Sequence, residues 1–70
     1  MNYITIELQT NDQWQTANIV TVYDNLPQAQ SKYFTILAAA ALSNIHQHAA
    51  VILDETGMTM AQQCFTHEVQ

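Results

Sequence analysis

Hydrophobic and polar positions alternate from Tyr3 to Leu8, with Ile4, Ile6 and Leu8 on one side and Tyr3, Thr5 and Glu7 on the other. Period-two alternation over such a length reads as a half-buried strand. A polar turn, Thr10-Asn11-Asp12-Gln13, follows. The stretch Trp14 to Tyr23 is then rich in β-branched and aromatic residues, as in the second arm of a hairpin. Ile19, Thr21 and Tyr23 point one way and Val20 and Val22 the other, so neither side of this arm is purely polar and both are expected to be covered.

The period changes after Asp24. Asn25 is a good N-cap, Pro27 fits a first helical turn because its missing N–H would be unpaired there, and Gln28 stands three residues after Asn25 as in a capping box. The helix is expected to reach Gln47 or His48. On a helical wheel, Leu26, Ala29, Tyr33, Phe34, Ile36, Leu37, Ala38, Ala40, Ala41 and Ile45 fill an arc of roughly 200°, about twice the stripe a core-facing helix needs. Leu42 stands among polar residues on the far side. The excess apolar width marks Phe34, Ala38, Ala41, Leu42 and Ile45 as an oligomer or partner interface.

Ala50 to Leu53 is a short apolar strand, closed by Asp54-Glu55-Thr56-Gly57. The only glycine, Gly57, sits where a hairpin needs positive φ. Met58 to His67 forms the last strand, with Met58, Met60 and Cys64 on one side and Ala61, Phe65 and His67 on the other. The expected fold is α+β, one domain over residues 1–70. Its order is ββαββ, an antiparallel sheet with one central helix packed on it, and the small core favours an oligomer.

Composition narrows the function. Six acids face one lysine and no arginine, a net charge of −5. Nucleic-acid binding is largely phosphate neutralisation by Lys and Arg, so that class is excluded. The acids are too scattered for a DNA mimic. No apolar run reaches the roughly 18 residues of a membrane span, and the first residues have no signal-peptide pattern. A soluble, cytoplasmic protein without membrane contact is expected. The single cysteine, Cys64, excludes an internal disulfide.

Candidate chemistry is sparse. His46 and His48 would diverge by about 200° on a helix and so would not share a metal. In an extended linker they would come closer, with His67 joining through tertiary contact. Imidazoles at a helix C-terminus are favoured by the dipole, and that is the simpler reading. His67-Glu68 has no accompanying nucleophile elbow, and Cys64 and His67 fall on opposite faces of a strand. Asp54-Glu55 before glycine is ordinary turn chemistry. No catalytic residue, metal or cofactor is assigned. Tyr33, Lys32, His46, His48 and His67 remain as candidate ligand contacts, because a surface of Gln, Asn, Thr, Ser and His suits neutral hydrogen bonding.

From the helix onward the chain resembles small uncharacterised proteins of phages and prophages of Gram-positive, often gut, bacteria. The residues that carry this are Tyr33-x-x-Ile36-Leu37-Ala38-Ala39-Ala40-Ala41-x-Ser43, His48-x-x-Val51-x-Leu53, Gly57 and Phe65-x-His67-Glu68. The resemblance implies a phage accessory protein in the host cytoplasm and transfers no site residue. The expected function is non-enzymatic binding or sequestration of a host protein, such as counter-defence against an immune component, by a homo-oligomer. Two alternatives are a sponge for a nucleotide-like small-molecule ligand held at subunit interfaces and a structural virion component.

Overall fold

The structure, a computed structural model, describes residues 1–68. Its elements are β1 (Tyr3–Thr10), β2 (Thr16–Tyr23), α1 (Leu26–Leu42), β3 (Gln47–Asp54) and β4 (Thr59–Thr66). They form the expected ββαββ α+β fold: one four-stranded antiparallel sheet in the order β2-β1-β3-β4, with α1 on one face.

Each connection has a local cause. In the β1–β2 loop, Asn11 Oδ1 accepts from the backbone N–H groups of Gln13 at 2.9 Å and Gln15 at 3.0 Å. Trp14 takes the left-handed conformation there, with φ 64°. At the helix start, Asn25 Oδ1 accepts from Gln28 N–H at 2.9 Å, and Asn25 Nδ2 donates to Gln28 Oε1 at 3.0 Å. In the β3–β4 hairpin, Asp54 Oδ1 accepts from Thr56 Oγ1, Thr56 N–H and Met58 N–H at 2.5, 2.8 and 3.1 Å. Gly57 takes φ 88°. The acidic pair at 54–55 therefore contributes a turn carboxylate.

α1 stops at Leu42, about five residues short of the expected end. Ser43 is extended, with φ −78° and ψ 164°, and its N–H bonds back to Ala40 O. The released residues Gln47, His48 and Ala49 join β3, which pairs on both sides, with Thr10, Gln9 and Leu8 and with Thr66, Phe65 and Cys64. A central strand gains two ladders of hydrogen bonds, which outweighs one more turn of helix. β3 is accordingly longer than the apolar run Ala50 to Leu53. β4 carries a bulge opposite Ile52/Leu53, where Met60 has no partner between Thr59 and Ala61.

The helix covers the face of β1 opposite to its aliphatic side. Ala29, Tyr33, Ile36 and Ala40 of α1 are buried against Thr5, His48, Ala50 and Ile52 of the sheet. Thr5 Oγ1 donates to Ala29 O at 3.0 Å and ties the two layers. The cause is topological. β2 and β3 both run antiparallel to β1, so they are parallel to each other, and α1 is a crossover between them that spans β1. The side on which such a crossover lies is set by chain handedness, not by the polarity of the strand it passes. α1 lies mainly over β1 and β3 and covers edge strand β2 only toward Tyr23, which packs against the core, leaving most of the rest of β2 exposed. Ile19, Val20 and Val22 are each more than half exposed, a correction to the expectation that both sides of this arm are covered.

Candidate interaction surfaces

The register places four rows of side chains on the sheet face away from the helix. From one end they read Val22–Ile4–Leu53–Thr59, Val20–Ile6–Val51–Gln62, Asn18–Leu8–Ala49–Cys64 and Thr16–Thr10–Gln47–Thr66 across β2, β1, β3 and β4. Eight aliphatic side chains form a contiguous block centred on Ile6. Thr, Asn and Gln border it along β4 and at the far end. No row holds a charged residue. Glu7 and Asp54 share the helix-side register, Asp12, Asp24 and Glu55 lie in turns, Glu68 follows β4, and Lys32 is on the helix. With Cα extents of 43 × 20 × 15 Å the described residues form two layers, and none of their elements lies on this face.

A second apolar strip runs along the outside of α1. Phe34 is 62% exposed and Leu42 91%, with exposed Ala38 and Ala41 between them. Ile45, assigned to the same interface, is half-buried beyond the helix end and lines a 290 Å³ cleft with Gln9, Asn11, Gln15, Thr16 and Ala17. Trp14, 81% exposed, meets His46 edge to face near this cleft, with ring centroids 6.3 Å apart.

Of the candidate ligand contacts, Tyr33 and His48 are buried and present no ring to a ligand, which corrects their assignment. Tyr33 faces the sheet because it stands four residues from Ala29 and three from Ile36 on the core stripe. The three histidines do gather at the C-terminal end of α1, and each has a structural partner. His67 Nε2, just beyond β4, donates to Ala40 O at 2.8 Å, a further partner for a carbonyl of the last helical turn. His46 Nδ1 donates to His67 O at 3.1 Å, and His67 N–H to His46 O at 2.7 Å, prolonging the β3–β4 ladder. Among the described residues no cluster of His, Cys, Asp and Glu suits a metal ion.

His48 forms a relay that sequence reasoning missed. Its Nε2 lies 2.6 Å from Glu7 Oε2 and its Nδ1 3.0 Å from Ser43 Oγ, while Gln9 Nε2 donates to Glu7 Oε2 at 3.0 Å. Ser43 Oγ also lies 3.2 Å from Ala40 O. The serine hydroxyl can therefore donate to a neutral ring, or turn to Ala40 O and accept from a protonated one. The imidazole is satisfied in both charge states. The composition is that of a hydrolytic triad, but the carboxylate and hydroxyl occupy the opposite ring nitrogens from those of that machinery. The only sequence signal was an acid beside Tyr3 and Thr5 on the less apolar side of β1, and linking it to His48 requires the β1–β3 register.

Burial acts to raise the Glu7 pKa, but hydrogen bonds from His48 and Gln9 and the positive charges of His48 and Lys32 outweigh it and hold the group below its ordinary 4.5. A carboxylate with a depressed folded-state pKa contributes stability that is complete above the unfolded value and lost as pH falls through the folded one. Stability should thus decline on acidification from about 4.5 downward. Asp54, held below its ordinary 3.8 chiefly by the Thr56 hydroxyl, acts in the same direction at lower pH. Urea unfolding at a series of pH values checks this: Glu7→Gln should flatten the upper part of the acid limb, and an unchanged limb would refute the assignment.

No protein-family model, curated protein or solved structure gives a significant match to the chain. Among the described residues no helix is long and apolar enough to cross a membrane.

Proposed function

We propose that the chain is a non-enzymatic, homo-oligomeric phage accessory protein that works in the host cytoplasm by engaging or sequestering a host protein, as a counter-defence factor does. The observation that carries the binding reading is the apolar area left outside the fold. A charge-free aliphatic sheet face lies on one side and the Phe34–Ala38–Ala41–Leu42 strip on the other. Apolar surface on this scale in a small soluble chain marks contact with other macromolecules. The phage setting rests on the sequence resemblance of residues 30 to 68.

The nucleotide-sponge reading draws less support. Tyr33 is buried, and the ring N–H groups of His46 and His67 are directed at backbone carbonyls.

The test is recovery of the tagged protein from phage-infected host cells, followed by native mass spectrometry. An oligomer carrying a stoichiometric host protein is expected, and Phe34→Asp/Leu42→Glu should release that partner while leaving the fold intact. A bare complex in both cases would overturn the reading, and incorporation into purified particles would assign the protein to the virion instead.

A further inference from the structure

We propose that the open sheet face is the homodimer interface: two copies pack face to face about a two-fold axis lying between the sheets and along the strands. This rests on the oligomeric part of the proposed function and names the surface responsible.

Three observations favour a second copy over other occupants. The first is charge. The chain has net charge −5, yet no charged side chain stands in the four rows of this face. A basic protein finds no acid to pair with there, and an anionic lipid surface finds no lysine or arginine. A second copy brings an equally uncharged set of rows, Ile, Leu, Val and Ala bordered by Thr, Asn, Gln and Cys64, and no acid stands in those rows.

The second is shape. Four strands of eight residues make a face of roughly 19 by 26 Å, on the order of 500 Å² per copy. Two copies together bury on the order of 1,000 Å², about the lower bound for a specific interface. A broad sheet is matched by another sheet, and the two would pack about 10 Å apart as in a β-sandwich.

The third is pattern. The block centred on Ile6 occupies one end of the face, and Thr10, Thr16, Asn18 and Gln47 occupy the other. An axis along the strands sets aliphatic end on aliphatic end and amide end on amide end. The interface then has an apolar half, in which Ile6 of each copy lies over Val51 of the other, and a neutral polar half, with Thr59 and Gln62 of β4 set against the valines of β2. The helix strips of both copies face outward, free for the host partner.

The test is sedimentation of the full chain from 1 to 100 µM. The wild type should sediment as a dimer, twice 7.9 kDa. Because the off-face acids repel, its dissociation constant should fall when salt is raised. Ile6→Glu and Val51→Glu should each weaken the dimer at least a hundredfold, and Leu42→Glu should leave it unchanged. Should a glutamate variant fail to fold, Ile6→Thr keeps the β-branched shape and should still weaken association at least tenfold. A wild-type monomer at 100 µM would overturn the proposal. So would a dimer that survives Ile6→Glu but is lost in Leu42→Glu, which would place the contact on the helix. A monomer that still captures its host partner would overturn the dimer while leaving the binding function standing.

Discussion

Ala40→Glu abolishes cooperative unfolding, whereas Leu42→Glu, two residues further along the same helix, leaves the fold near its wild-type stability. Ala40 has no exposed surface and faces the sheet. A glutamate there must be accommodated in a contact that admits only a methyl group, and its charge is desolvated without a cation, at an effective cost of several kcal/mol. A domain of this length has a net stability of roughly 4–10 kcal/mol, so one such charge removes most of it. The carbonyl of Ala40 also accepts from Ser43 N–H, Ser43 Oγ and His67 Nε2, and a backbone shift at this point disturbs all three. Leu42 is 91% exposed, and a glutamate there meets only an unfavourable helix dipole worth a few tenths of a kcal/mol. Thermal melts followed by circular dichroism separate the two variants. A cooperative melt for Ala40→Glu within about 1 kcal/mol of wild type would mean that the helix does not sit on the sheet as described.

His48→Leu should cost about 2–3 kcal/mol, because it leaves the Glu7 carboxylate, mostly covered by the helix layer, without its closest donor. Glu7 keeps Gln9 Nε2 and some exposure to water, which places the loss below that of a fully buried broken pair. For a domain of this size the change corresponds to a fall in Tm of roughly 10 °C or more. Adding Glu7→Leu to His48→Leu should recover most of the loss, since replacing both partners by apolar groups removes the stranded charge. If the double variant is as unstable as the sum of the singles, the two residues are not coupled and the relay has been misread.

The elements were legible because each has a local physical signature. Asn25, Pro27 and Gln28 start the helix through groups within one turn. Gly57 and Asp54 close the hairpin through φ and through hydrogen bonds spanning four residues. The alternation of Ile4, Ile6 and Leu8 established that one side of β1 is aliphatic. The helix end was misplaced because nothing around Ser43 to His46 breaks a helix by itself. The stretch is drawn into extended structure by β-pairing with strands distant in sequence. Of the site residues, the exposure of Phe34, Ala38 and Ala41 follows from a wheel wider than one sheet can cover, and that of Leu42 from its place among polar residues on the far side. The burial of Tyr33 and His48 depends on which part of that arc meets the sheet, which the wheel leaves open.

Periodicity and capping groups act over a few residues, so the chain's own order of side chains settled the ββαββ arrangement, the two-sided character of β1 and the surplus apolar arc of α1. Two matters needed the assembled molecule. The Glu7–His48–Ser43 relay joins residues 41 positions apart and exists only through the β1–β3 register. The side of the sheet that the helix covers follows from the handedness of the β2–α1–β3 crossover, a property of the path and not of any residue along it. That path puts α1 over Thr5 and leaves Ile4, Ile6 and Leu8 on the open face, where they meet Val20, Val22, Val51 and Leu53.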